Sequence, residues 1–157
     1  MAHLTRFLLQ DHDRITRAFD AYGKDPNNLP IALTVCRELE AHTTIEEELV
    51  YPILRNEIDS READSAEQEH EDAKELISQI EDLEAGDPEL REMMFQLRNM
   101  VVDHIHHEES TIIPKLQAHL LARNWDLGRE AFRMRQDLIA EPGRVPAAAR
   151  YLANGGW

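Results

Sequence analysis

His42-Thr43-Thr44-Ile45-Glu46-Glu47-Glu48-Leu49-Val50-Tyr51-Pro52 sets a histidine and a carboxylate four residues apart. In a helix that spacing puts both on one face, one turn apart. A second copy, His104-Ile105-His106-His107-Glu108-Glu109-Ser110-Thr111-Ile112-Ile113-Pro114, stands in the same register. Adding 62 to the residue number carries His42 to His104, Glu46 to Glu108 and Pro52 to Pro114. Each copy closes with a proline six residues after its glutamate.

Around this repeat the chain reads as helix throughout. Residues 3–22 form a first helix with Leu8, His12, Ile15 and Phe19 on one stripe. A second, about Pro30 to Asp59, points Val35, Leu39, His42, Glu46, Leu49 and Ile53 inward, with a kink expected at Pro52. A third, Arg61 to Ala85, carries Ala66, His70, Ala73, Ile77 and Ile80; Gly86-Asp87-Pro88 stops it and starts the next. The fourth, Glu89 to Ala122, carries Leu90, Met94, Leu97, Val101, His104, Glu108 and Thr111, with Pro114 as a late kink. Asn124 is expected to cap a fifth helix, Trp125 to Ala140, bearing Leu127, Phe132, Met134 and Leu138. A linker, a short helical piece (147–152) and a tail ending at Trp157 follow.

Long helices, short loops and four-three apolar seams predict an all-α, antiparallel up-down-up-down four-helix bundle with an additional C-terminal helix. The bundle is assigned to residues 1–122, and residues 123–157 to a helix and tail packing on the same domain. Gln10-Asp11-His12-Asp13 resembles Gln68-Glu69-His70-Glu71, so the domain reads as two similar hairpins related by a pseudo-two-fold.

Composition narrows the function. A net charge of −14 argues against nucleic-acid partners. No apolar run approaches the ~18 residues that a membrane span needs. The single cysteine, Cys36, reads as a small core residue and suits a reducing cytoplasm. Each of the four bundle helices places a histidine on its inward seam, and two add a glutamate. Buried carboxylates and imidazoles cost several kcal/mol each unless compensated, and a metal centre compensates them. His12 with His42, and His70 with His104, would each serve one metal, with Glu46 and Glu108 bridging the two ions. A solvent-derived oxo or hydroxo bridge would complete about five ligands per ion. Imidazole with carboxylate suits iron in particular, with zinc and manganese also compatible. His3, His106, His107 and His119 read as surface or outer groups; Glu47, Glu48 and Glu109 as a solvated acidic face; Met93, Met94 and Met100 as core filler. Glu67-Gln68-Glu69-His70 fits the Glu-x-x-His of the ferritin-like carboxylate bundles once, which makes that class the weaker fit.

The set His12, His42, Glu46, His70, His104 and Glu108 resembles the hemerythrin family, specifically bacterial hemerythrin-like cation-binding domains, over about residues 3–122. The resemblance implies two non-haem irons held by these six side chains. It also marks two departures from the oxygen carriers. Lys74 stands where they have a further histidine, and Glu108, four residues after His104, replaces an aspartate at five. A smaller ligand set implies an open position for hydrogen peroxide, nitric oxide or oxygen. Tyr51 breaks the repeat, because its counterpart is Ile113; it reads either as a further ligand or as a tyrosine packed at the bundle end. Similarity to actinobacterial members associated with peroxide disproportionation implies a catalase-like activity. The alternatives are non-enzymatic oxygen, nitric oxide or iron binding, sensing or storage, and iron donation in iron–sulfur cluster repair. No catalytic residue is assigned, and a cytoplasmic monomer or weak homo-oligomer is expected.

Overall fold

A computed structural model of the chain describes residues 3–140, all helix and connecting turns, with no strand among them. The described residues form five helices: α1 (Leu4–Gly23), α2 (29–58), α3 (Ser60–Glu81), α4 (90–120) and α5 (Arg123–Ala140). The expected linker, short helical piece and tail beyond residue 140 lie outside the described residues.

Local chemistry sets most boundaries. Asn28 caps α2, its side chain accepting from the Ile31 N–H at 3.1 Å. Asp59 opens α3 by accepting from the backbone N–H groups of Arg61 and Glu62. Gly86 takes the left-handed region (φ +88°) in the turn before α4, where a side chain would be strained. Asn124 behaves otherwise than expected. It lies inside α5, and its amide pairs with Thr5, accepting from the backbone N–H and donating to Oγ1, both at 3.1 Å. That pair ties the start of α5 to the start of α1.

The glutamate–proline repeat gives a feature the seams did not predict. From Glu46 to Val50, and again from Glu108 to Ile112, the helix widens into a π-type turn. The Tyr51 N–H reaches back to the Glu46 carbonyl, and the Ile113 N–H to that of Glu108. Pro52 and Pro114 lack the N–H that would continue the ordinary ladder, and the wider turn absorbs the break. One extra residue then rotates everything after it. Val50 and Leu54 are buried where Leu49 and Ile53 were expected, and Ile112 takes the place of Thr111. Residues 54–58 form a third such turn before Asp59.

Two apolar clusters fill the interior. One includes Ile15, Phe19, Val35, Leu39, Ile77, Ile80, Leu97 and Val101; the other includes Leu4, Leu8, Ile45, Val50, Leu54, Ala66, Ile112 and Leu116. On each of α1 to α4 the inward histidine falls between residues of the two clusters, so a polar layer is clamped between them. Cys36 is buried in the first cluster, and burial pushes its thiol up out of the reactive range. α5 packs over α1 and α2 through Gly128, Ala131 and Arg135. Phe132 and Met100, expected inward, are 56% and 38% exposed. Leu97 is fully buried in the first cluster. Leu97→Ala is expected to lower unfolding stability by about 3 kcal/mol in a urea titration followed by circular dichroism. A loss under ~1 kcal/mol would mean the cluster closes around the gap.

Candidate metal centre

The six inward side chains meet in one layer. His12, His42, Glu46 and Glu108 form one group of converging donor atoms, and Glu46, His70 and His104 a second. All six are buried. Each histidine turns Nε2 inward. His12 Nε2 lies 3.0 Å from Glu108 Oε1 and His104 Nε2 lies 3.1 Å from it. His42 and His70 Nε2 each lie 3.0 Å from Glu46 Oε1. Each glutamate therefore touches histidines of both hairpins. Four imidazoles and two carboxylates crowd together without enough mutual hydrogen bonds. His42 Nε2 and Glu46 Oε2 have no hydrogen-bond partner among the described residues, and His70 Nε2 faces His104 Nε2 at 3.1 Å. Unpartnered buried lone pairs of this kind fit a cation.

Behind the layer each Nδ1 faces a carboxylate. Asp11 Oδ2 lies 2.7 Å from His42 Nδ1, and Glu69 Oε1 lies 2.8 Å from His104 Nδ1. Glu109 Oε2 lies 2.7 Å from His12 Nδ1, while Glu47 Oε1 stands 3.6 Å from His70 Nδ1. A carboxylate on Nδ1 puts the proton there and leaves the Nε2 lone pair free to ligate. The four obey the internal repeat: Asp11 precedes His12 as Glu69 precedes His70, and Glu47 follows Glu46 as Glu109 follows Glu108. Glu47 and Glu109 are thus more than a solvated face. Reading their neighbours as the chemistry-bearing residues hid them, although their doubled positions were a usable signal. His107 joins the same shell by bridging Glu69 and Glu62. His119 pairs with Glu57 at the surface, His106 is exposed, and His3 packs edge-on against Trp125. Lys74 binds Glu47 at 2.6 Å and 2.8 Å, so it turns to the outer carboxylate.

Tyr51 enters the centre because the π-type turn rotates it inward. It is fully buried, its hydroxyl 2.8 Å from Glu108 Oε2, 3.2 Å from Glu46 Oε1 and 3.1 Å from His70 Nε2. Its counterpart Ile113 brings no polar atom.

Without a cation the layer balances its own charge. Burial pulls the His42 imidazole down, but the Glu46 charge and the Asp11 hydrogen bond outweigh it and hold it well above its ordinary value. For His104, Glu108 overcomes burial and pushes it up to about 12, and Glu46 and Glu47 raise His70 against burial. Burial pushes Glu46 and Glu108 up, yet the facing imidazoliums bring both below the usual carboxylate range. Burial and both glutamate charges raise the Tyr51 phenol, which stays protonated.

A helical bundle with a buried histidine–glutamate layer defines a cation-binding protein. The model of the hemerythrin HHE cation-binding domain matches residues 3–116, and the chain belongs to that family. It is also similar to a DNA nickase of Nostoc sp. (strain PCC 7120), 25% identical over 134 residues. That match covers 83% of this chain and 38% of the relative, so the chain spans well under half of that protein's length. No solved structure matches the chain. Among the described residues no helix is long and apolar enough to cross a membrane.

The pKa directions fix a pH dependence for the metal-free protein. The raised histidines stabilise the fold below their unfolded value near 6.5, and that stability is lost as pH rises toward their folded values. The lowered glutamates stabilise it above about 4.5 and lose that only on acidification. The melting temperature of chelator-treated protein is therefore expected to fall between pH 6.5 and pH 9. A flat or rising profile would show that the imidazoles are not charged in the fold.

Proposed function

We propose that this chain is a non-haem di-iron protein whose centre disproportionates hydrogen peroxide, with nitric oxide and oxygen as related ligands. His12, His42, His70 and His104 would be the imidazole ligands and Glu46 and Glu108 the bridging carboxylates. The supporting observation is the Tyr51 hydroxyl, buried within 3.2 Å of Glu46, His70 and Glu108. Phenol, imidazole and carboxylate together suit iron, and this donor set has no thiolate. We read the helices as an antiparallel up-down-up-down bundle, with residues 123–157 belonging to the same domain.

A pair of irons held by these side chains would relay two electrons from the peroxide oxidised to oxygen to the peroxide reduced to two waters. The protein's side chains supply position and protons. Tyr51 holds its proton on Oη against Glu108 Oε2, beside the Nε2 atoms of His70 and His104. A cavity of about 20 Å³ adjoins His42, His70 and His104 and is walled by Ile15, Leu39 and Val101. It has room for about one water-sized molecule, which suits peroxide and diatomic ligands. Nicking DNA is a property of the longer Nostoc protein. The −14 charge of this chain opposes the phosphate contacts that such a substrate needs.

Iron-loaded protein mixed with hydrogen peroxide in an oxygen electrode is expected to release one oxygen per two peroxides. Tyr51→Phe, which removes the phenolic proton, is expected to slow release by on the order of a hundredfold. Release no faster than with free iron would contradict catalysis and favour binding, storage or iron donation.

A further inference from the structure

The repeat makes Asp11 behind His42 equivalent to Glu69 behind His104, yet their surroundings differ. The Glu69 side chain is 33% exposed and shares Oε1 with His107. The Asp11 side chain is 1% exposed and meets two guanidiniums, Arg14 from the next turn of α1 and Arg135 from α5. Arg135 Nη1 lies 3.5 Å from Asp11 Oδ1, and Glu38 holds the fork at 2.7 Å and 3.0 Å. α5 starts beyond residue 116, where the family match ends, so membership of the family says nothing about it.

We propose that Arg135 is a positioning residue: through Asp11 it fixes the His42 imidazole, so that the His12–His42 half of the centre holds its cation more tightly than the His70–His104 half. A carboxylate on a ligating imidazole sets ring orientation, and it does so better when it is itself held. Asp11 is fully buried and paired with two guanidiniums, whereas Glu69 is a third exposed and is backed only by the His107 imidazole. The inference rests on the di-metal reading above. The competing role for Arg135 is merely to dock α5, which Arg37 also does through the Leu138 carbonyl.

The test is iron release. Protein loaded anaerobically with ferrous iron is mixed with excess bipyridyl chelator, and the coloured complex is followed by stopped flow. Wild type is expected to release iron in two phases of similar amplitude. Arg135→Met is expected to speed the slow phase by roughly threefold to tenfold and leave the fast phase alone. Arg37→Met should leave both phases unchanged. Asp11→Asn should also speed the slow phase, and adding Arg135→Met to it should have no further effect. Should Arg135→Met fail to fold, Arg135→Lys keeps a cation at the site and is expected to show an intermediate release rate. A single phase in wild type overturns the proposal, as does Arg135→Met behaving like wild type or like Arg37→Met, or a full additional effect on top of Asp11→Asn. Wild type that takes up fewer than two irons defeats the di-metal reading itself, before any variant is compared.

Discussion

Two carboxylates buried between four imidazoles are the constraint on which the rest of the structure depends. Glu46 and Glu108 are almost completely shielded from water, and each lies against histidines of both hairpins. Left alone, such charges would cost several kcal/mol or be neutralised. The fold meets that cost with a second layer of acids on Nδ1 and with apolar clusters on either side. The result is a buried polar slab that stays charged when empty and offers imidazole lone pairs to a cation only as it gives up protons. Binding a cation there requires neutral imidazoles, so uptake and proton release are coupled.

The proline that closes each His-x-x-x-Glu copy shapes the centre as much as the ligands do. Its missing N–H breaks the ordinary ladder, a π-type turn directly after the glutamate takes up the break, and the added residue turns the next side chain inward. In the first copy that side chain is Tyr51, in the second Ile113. The same backbone device thus turns a phenol inward in one copy and an aliphatic side chain in the other, within one apolar cluster, so the pseudo-symmetry of the ligands does not extend to their surroundings. α5 breaks the symmetry a second time by covering α1 and α2 and reaching Asp11.

The helices, their seams and the six converging residues were legible because 3.6-residue periodicity survives in the primary structure and the motif is doubled. The π-type turns were not: a proline in a helix signals a break, but whether the chain kinks or widens depends on the packing of Val50 and Leu54. Asn124 misled for a related reason, since its cap chemistry serves equally well for gripping Thr5 across the fold. Glu47 and Glu109 look like surface acids until the facing histidines are placed. Arg135 carries no local signal at all, because its partners are Asp11 and Glu38, on two other helices.

The central claim is that this layer is a two-iron site built from both hairpins. Elemental analysis of protein loaded anaerobically with ferrous iron and then desalted tests it most directly, with wild type compared against Glu46→Gln, which keeps the shape and removes the charge. Two irons per chain are expected in wild type and fewer than two in the variant. A wild type that retains none, or a variant that still retains two, would contradict it.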